Sequence, residues 1–211
     1  MRRLHLRPFL LGLAALGTLA LTAADGPTVM TPLVWKPTSA LLSSGTVNLT
    51  PFATLKIAIR PLADNRPEKA RLGENVEKPV TRYIGTAEDV APYVTKHLLA
   101  LLQQPGLPLT DKTEGAAITL SGELQRFYVI EKDTYVGDFR ALLQVESAGK
   151  VLWKGLAVGQ ATRFGRSYKA ENYHEVLSDS LVEAVSHLLS DKTFLEALAG
   201  QAPAQAAPAA R

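Results

Sequence analysis

The sequence predicts an α+β domain, a two-layer sandwich in which two helices cover one face of a mostly antiparallel four-stranded sheet. One early segment and three later ones alternate apolar and polar residues, as strands with one buried face do. Two further segments repeat apolar residues at helical spacing. The resulting order is β-α-β-β-β-α, and elements with one apolar face each are expected to pack as two layers.

The first strand is predicted at residues 54–60, TLKIAIR, where Leu55, Ile57 and Ile59 share one face. The charged stretch that follows has no clear period. Residues 61–87 are therefore interpreted as a long loop, a feature that is uncommon in compact domains and often functional.

The first helix is predicted from the segment DVAPYVTKHLLALLQQPG, which begins at Asp89. Asp89 suits the N-cap, Pro92 falls in the first turn, and the helix is expected to end before Pro105. Its apolar stripe consists of Val90, Val94, His97, Leu98, Leu101 and Leu102.

Three consecutive strands are predicted next, at about residues 117–130, 135–147 and 150–164. The apolar phase of the first of them changes near Gln125, which predicts a bulge or twist there. The segment SAGK predicts a tight hairpin between the second and third strands. In the third strand, Gly155 and Gly159 mark places where another backbone approaches closely.

The last long helix is predicted to start at Asn172, as N-cap, with Glu175 at the capping-box position. Residues 191–198 predict a short additional helix that docks Phe194, Leu195 and Leu198. Asp179 and Glu183, on the long helix, are expected to face solvent.

The two ends of the chain differ from the domain predicted at residues 51–198. Residues 1–24 join a basic start to an apolar run and small residues, the pattern of a secretory signal peptide. Residues 25–50 are an extended Pro/Thr/Ser-rich lead-in, expected to lie against the domain through Leu33, Val34 and Trp35. Residues 199–211 form an Ala/Pro tail that is expected to be disordered.

This pattern predicts an exported protein of the periplasm or cell envelope. The alternative is an uncut leader that anchors the protein at the membrane. The chain has 23 basic and 20 acidic residues, and Arg2, Arg3 and Arg7 account for the excess. A neutral domain argues against nucleic-acid binding. The absence of cysteine excludes disulfides, cysteine zinc sites and thiol chemistry.

Several segments together resemble the YajG-like family of bacterial envelope lipoproteins. They are TLKIAIRPLADNR, YIG at 83–85, KVLWKG, and the end of the chain from YKAENYHEV to FLEAL. The matching positions are Asp64, Arg66, Ile84, Gly85, Trp153, Gly155, Ala170, Asn172, Leu177, Asp179, Leu181 and Phe194. The resemblance implies an α+β domain like those of outer-membrane activators of cell-wall synthases and the N-terminal domain of TolB, without enzyme activity. The chain departs from the family in lacking the cysteine that carries the lipid.

No nucleophile elbow, P-loop or dinucleotide-binding fingerprint is present, so the sequence predicts no catalytic residue and no cofactor. Glu183 and His187 are four residues apart and could contribute two metal ligands; an exposed polar face is the alternative. His97 is interpreted as a packing residue. Trp153 suits either core packing or recognition.

The charged stretch at 63–82 holds the candidate site. Asp64 and Arg66 are predicted to form a structural ion pair, and Asn172 is assigned a structural role as a cap. The candidate partner-binding residues are Lys69, Arg71, Glu74, Glu77, Lys78 and Arg82. A merely solvated loop is the alternative.

These features predict a non-enzymatic accessory or adaptor that binds another envelope protein. The alternative is a lipid- or small-molecule-binding auxiliary of an envelope transport system, which would have a groove lined by Phe127, Phe139, Leu156 and Phe164. A hydrolase ranks third. The sequence also allows a homo-oligomer.

Overall fold

The computed structural model describes residues 26–41, 47–166 and 168–201. The predicted signal peptide at 1–24 and the tail from residue 202 onward therefore lie outside the described residues. Among the described residues, no helix combines the length and the apolar character needed to cross a membrane.

The described residues form nine strands and three α-helices, with one 3-10 turn at Thr50–Phe52. The strands are β1 (Thr28–Met30), β2 (Ile57–Ile59), β3 (Ala63–Asp64), β4 (Arg71–Asn75), β5 (Arg82–Gly85), β6 (Leu109–Thr110), β7 (Ile118–Glu131), β8 (Thr134–Ser147) and β9 (Lys150–Phe164). The helices are α1 (Val90–Gln103), α2 (Ala170–Ser190) and α3 (Lys192–Leu198).

The three long strands form the predicted antiparallel meander, β7-β8-β9. The bulge expected near Gln125 is confirmed, because the register of β7 against β8 shifts between Leu124 and Arg126. The tight turn between β8 and β9 is also confirmed. Ala148 and Gly149 both have positive φ, at 47° and 76°, as a two-residue hairpin turn of the primed type requires.

The predicted four-stranded, mostly antiparallel sheet is wrong. The described residues form a nine-stranded mixed sheet with three helices, although the general α+β class holds. The edge of β7 that faces away from β8 pairs in parallel with β2, β3 and β4, one after another. Beyond them, β5 pairs with β4, β1 with β5, and β6 with β2.

The prediction of a long loop at 61–87 is also wrong, because this stretch contains β3, β4 and β5. These strands are only two to five residues long, so no alternation of polarity develops along them. The long edge of β7 pairs with β3 and β4, and β5 pairs in turn with β4. Pairing with a distant strand, rather than local sequence, determines their structure.

The helices lie on one face of the sheet, over the buried side chains of the meander. Tyr93 of α1 contacts Phe127, Tyr173 of α2 contacts Tyr135, and Phe194 of α3 contacts Trp153, all through their rings. Gly159 allows α2 to approach β9 closely, since a Cβ there would overlap the backbone of Ser180 and Ala184. This confirms the close approach predicted at Gly159.

Helix α2 begins at Ala170, with Lys169 as N-cap, and not at Asn172. Asn172 therefore does not cap the helix. The backbone before α2 is held from the sheet, because the Tyr168 N–H donates to Glu131 and the Lys169 N–H donates to the Tyr135 hydroxyl. Glu175 makes ion pairs instead of a capping box, with Lys36 at 3.0 Å and Arg163 at 2.7 Å.

Two other helix starts are closer to expectation. Asp89 occupies the N-cap of α1, as predicted, but its side chain makes no capping hydrogen bond. The short helix α3 is present as predicted, and Asp191 caps it by accepting from the N–H groups of Thr193 and Phe194. Phe194 and Leu198 are fully buried.

An extended segment, residues 31–39, crosses α2 and is called the strap below. Thr31 contacts His174 at 3.1 Å, and the Lys36 N–H donates to Ser178 at 3.0 Å. Asp179 accepts from the N–H groups of Thr38 and Ser39 at 2.7 and 2.8 Å. Asp179 is therefore buried against the strap and does not face solvent, contrary to expectation.

Candidate partner-binding face

The face of the sheet opposite the helices, called the outer face below, carries a row of side chains that crosses five strands. Tyr83 lies opposite Glu74, and Glu74 opposite Ile130. The row continues through Val136 to Thr162. It joins the short strands β4 and β5 to the meander, so residues far apart in sequence share one surface.

The bulge in β7 decides which side chains reach this face. Before it, Leu120 and Leu124 point toward the helices; after it, Phe127 and Val129 do so. An unbroken alternation from Leu124 would instead direct Arg126 and Tyr128 into the core. The extra residue therefore places these two side chains on the outer face.

Two arginine–tyrosine contacts dominate the centre of the outer face. The guanidinium carbon of Arg71 lies 3.9 Å from the centre of the Tyr83 ring, and that of Arg126 lies 4.9 Å from the centre of the Tyr128 ring. Both distances suit cation–π attraction. Together with Glu74, these residues are called the outer-face cluster.

Charges of both signs surround the cluster. Arg126 Nε lies 2.6 Å from Asp138 Oδ2, and Arg140 Nε lies 3.2 Å from the other oxygen of Asp138. Burial, with a smaller contribution from Glu74, raises the pKa of Tyr128 to about 12. The phenol is therefore protonated at neutral pH and available as a hydrogen-bond donor.

A pocket of about 250 Å³ opens beside the cluster. Its lining includes the side of β4, the bulge of β7 and the turn between β3 and β4. The lining residues are Arg66, Pro67, Glu68, Arg71, Glu74, Gln125, Arg126, Phe127 and Tyr128.

The turn that ends at β4 is held by Arg66, which is only 5% exposed. Its guanidinium donates to both carboxylate oxygens of Asp64, at 2.8 and 3.0 Å, so the predicted ion pair is present. It also donates to the carbonyls of Lys69 and Arg71, at 2.5 and 3.0 Å. These four bonds fix the backbone that carries Arg71 onto the outer face.

The pKa of Asp64 reflects this arrangement. Burial acts to raise the pKa, but the hydrogen bonds and charge of Arg66 outweigh burial and hold it below its usual value. The carboxylate therefore remains charged under all conditions near neutrality.

The six predicted partner-binding residues do not all lie together in the structure. Arg71 and Glu74 lie in the outer-face cluster. Lys69 is exposed in the turn before β4, while Glu77 and Lys78 lie in the turn between β4 and β5. Arg82 is exposed at the start of β5. Burial raises the pKa of Tyr168, which packs against Tyr173 of α2, and the positive charge of Arg82 opposes that rise.

Sequence reasoning missed Tyr83, Arg126 and Tyr128 as site residues. The phase change near Gln125 contained the information for the last two, since it implies that Arg126 and Tyr128 leave the buried face. Tyr83 had no such signal, because its place depends on the pairing of β5 with β4.

The four residues predicted to line a groove do not lie together. Phe127 and Phe139 are fully buried, with ring centres 6.5 Å apart. Leu156 and Phe164 are on β9 and are 51% and 84% exposed. The first pair fills the core, and the second pair faces solvent.

Glu183 and His187 are engaged with the backbone of β9. Glu183 accepts from the Gln160 N–H, and His187 Nδ1 lies 3.0 Å from the Val158 carbonyl oxygen. Within the described residues, no group of three or more His, Asp or Glu side chains is arranged to hold a metal ion.

The two other residues singled out from the sequence pack as aromatic neighbours. Trp153 contacts the Phe194 ring at 5.0 Å and donates to the Thr193 hydroxyl at 3.2 Å, in keeping with core packing. His97 lies between Trp35 and Tyr93, at 4.2 and 4.6 Å. Burial, together with the charge of Lys96, lowers the pKa of His97 to about 4.

No family model and no curated protein matches the sequence. Among solved structures, protein XCC0632 from Xanthomonas campestris, of family DUF330, matches with a TM-score of 0.52 and 10% identity, over 83% of this chain and 97% of that chain. A putative lipoprotein from Caulobacter crescentus matches at 0.41 and 17% identity, over 61% of this chain and 92% of that one. The PelC dodecamer from Paraburkholderia phytofirmans matches at 0.39 and 16% identity, over 62% and 86%.

The last two likenesses are too weak to support an inference. The first covers nearly all of its counterpart but at low identity, so it concerns the fold alone. The fold of this chain is therefore similar to that of the DUF330 protein from Xanthomonas campestris.

Proposed function

We propose that this chain is a non-enzymatic accessory protein of the bacterial envelope that binds another envelope protein on its outer face. The observation that carries the proposal is the outer-face cluster, in which two arginines stack on two tyrosines on a face of the sheet that the described helices leave open. Tyrosine and arginine are the residue types that contribute most to binding at protein interfaces.

The cluster is organised before a partner arrives. The Arg71 guanidinium rests on Tyr83, and Arg66 fixes the backbone of Arg71 from below. Arg126 is held by Asp138 and Tyr128. Side chains that are already ordered lose less entropy on binding.

The charges indicate what kind of surface fits. Arg71, Arg126 and Arg140 alternate with Glu74 and Asp138, so neither sign dominates. Ile130, opposite Glu74, and Phe164, at the end of β9, supply exposed apolar area on the same face. The complementary surface is a folded protein face that carries acidic and basic side chains with an apolar area beside them.

The leader pattern at 1–24 and the resemblance to YajG-like lipoproteins support the envelope as the location. The chain lacks the cysteine of that family. The mature protein is therefore proposed to be either free in the periplasm or held by an uncut leader.

A small ligand is the second candidate, favoured by the pocket beside the cluster. Its volume of about 250 Å³ is below the roughly 300–1,000 Å³ usual for small-molecule sites. A protein partner is the better fit, and a bound small molecule is an outcome that the experiment below can detect.

Photo-cross-linking in cells tests the proposal. A photoreactive amino acid replaces Tyr83 or Phe164 on the outer face, or Gln104 or Lys192 in the helix layer as controls. One protein is expected to cross-link from both outer-face positions and from neither control. Equal cross-linking from the controls would contradict the proposal.

The partner is then purified and its affinity measured against two double variants. Arg71→Ala with Tyr83→Ala is expected to weaken binding at least tenfold. Lys192→Ala with Glu196→Ala, an ion pair on α3 away from the outer face, is expected to leave it unchanged. A small molecule that co-purifies and is lost in the first variant would replace the protein partner with the ligand candidate.

A further inference from the structure

Strand β9 lies at an edge of the sheet. It is 15 residues long and, among the described residues, pairs with β8 alone. Such an edge presents unpaired N–H and C=O groups to which a strand of another chain can add. Residues 155–162, GLAVGQAT, carry no charge and no proline, and they lie between Lys154 and Arg163. The run therefore lacks the charged residues and prolines that commonly protect an edge strand from pairing.

Two side chains of α2 occupy the middle of that edge. The Glu183 carboxylate accepts from the Gln160 N–H, and His187 Nδ1 contacts the Val158 carbonyl at 3.0 Å. Because a carbonyl only accepts, the His187 Nδ1 must carry a proton in this contact. One side chain thus supplies an acceptor and the other a donor, as the backbone of an added strand would.

The residue spacings of a helix and a strand explain why Glu183 and His187 can both contact the backbone of β9. Residues four apart on a helix lie about 6 Å apart along its axis. Residues two apart on a strand are separated by roughly 6.6 Å and point their backbone groups to the same side. Gly159 brings α2 close enough for the contacts, since any larger residue would overlap Ser180.

We propose that Glu183 and His187 block the edge of β9 against a second copy of this chain, which would otherwise add its own β9 in antiparallel orientation. The sequence of β9 is suited to pairing with β9 of a second copy. With Gln160 on the two-fold axis, Leu156 would lie opposite Phe164 of the second copy, and Val158 opposite Thr162. This register covers Leu156 and Phe164, the two most exposed apolar side chains of β9. The proposal is independent of partner binding at the outer face.

The test compares the full chain with Glu183→Ala/His187→Ala by analytical ultracentrifugation over a range of concentrations. The double variant is expected to raise the association constant for self-association at least tenfold over wild type. Lys192→Ala/Glu196→Ala, another pair with i,i+4 spacing on a helix surface, is the matched control and should behave as wild type. An unchanged association constant in the first variant overturns the proposal.

Two further variants identify the surface that associates. Thr162 has the same orientation as Val158 and Gln160, so its N–H points away from β8. Thr162→Pro, added to the Glu183→Ala/His187→Ala variant, should restore the wild-type association constant. Since the chain has no cysteine, Gln160→Cys in that background provides a single thiol that a short thiol-specific cross-linker should join to its copy, while Gln104→Cys should not. Self-association that persists with proline, or that cross-links equally from residue 104, overturns the role of β9.

Discussion

Trp35 lies flat against His97, with ring centres 4.2 Å apart and planes inclined by only 9°. The contact joins the strap to α1, while the polar contacts of Lys36 and Thr38 join it to α2. The segment before the domain predicted at 51–198 is thus packed on that domain. Leu33 and Trp35 contact the core, whereas Val34 is exposed.

Trp35→Ala is expected to lower the free energy of unfolding by about 1–3 kcal/mol, less than for a fully buried tryptophan. The strap should also become sensitive to protease, because its aromatic anchor is lost. Urea unfolding and limited proteolysis measure the two effects. Val34→Ala, one residue away and exposed, should change neither; an equal effect of the two substitutions would mean that the ring stack contributes nothing.

Stability should fall as the pH is lowered from about 6.5 to about 4. The pKa of His97 is about 4 in the folded protein and 6.5 in its unperturbed state, so the unfolded chain binds this proton first. Stabilisation is present above the unfolded pKa and is lost as the pH falls toward the folded value, by on the order of 1–2 kcal/mol, because solvent screens this half-exposed ring. Burial also lowers the pKa of His174, which adds a contribution of the same sign.

The His97→Asn variant isolates the first contribution. Its free energy of unfolding should depend less on pH between 6.5 and 4.5 than that of the wild type. An identical pH dependence in both proteins would show that His97 titrates normally.

Arg66→Lys should destabilise the protein by about 1–3 kcal/mol, although the charge is kept. A lysine cannot make the two-pronged contact with Asp64 and also reach the carbonyls of Lys69 and Arg71. Arg140→Lys is the control, because Arg140 pairs with Asp138 at the surface. This substitution should lower the free energy of unfolding by less than about 0.5 kcal/mol. Chemical denaturation distinguishes the two, and similar costs would refute the role of Arg66 in holding the turn.

Deleting Gln125 should abolish the native fold. Without the extra residue, either Phe127 and Val129 or Leu120 and Leu124 must turn to the outer face, because a one-residue shift reverses a strand's faces. Gln125→Ala keeps the residue count and should unfold normally. Near-ultraviolet circular dichroism measures the loss of tertiary packing, and a native spectrum for the deletion would disprove this account of the bulge.

The long elements could be read from the sequence because their periods run over many residues. The meander, its bulge at Gln125 and the helices α1 and α3 follow from local patterns and turn residues. The start of α2 could not be read, because Glu131 and Tyr135 hold the preceding backbone from the sheet.

The short strands were missed because each depends on a neighbouring strand for its structure. A two-residue strand such as Ala63–Asp64 has no pattern of its own, and its pairing partners are Glu123 and Leu124. The candidate site shares this dependence. The sequence pointed to Arg71 and Glu74 within the charged stretch, but it could not show that β5 and β7 bring Tyr83, Arg126 and Tyr128 beside them.

The strap imposes an order on folding. Thr31 and His174 are 143 positions apart, so their contact closes about two thirds of the 211-residue chain into a loop. Contacts between residues so far apart in sequence are expected to form late, after local elements and the meander have reduced the conformational entropy of the chain. The α2 groups that contact residues 31–39 form a surface only once α2 has docked on the sheet. We therefore expect the strap to dock last, and to remain accessible to other proteins for as long as α2 is unfolded.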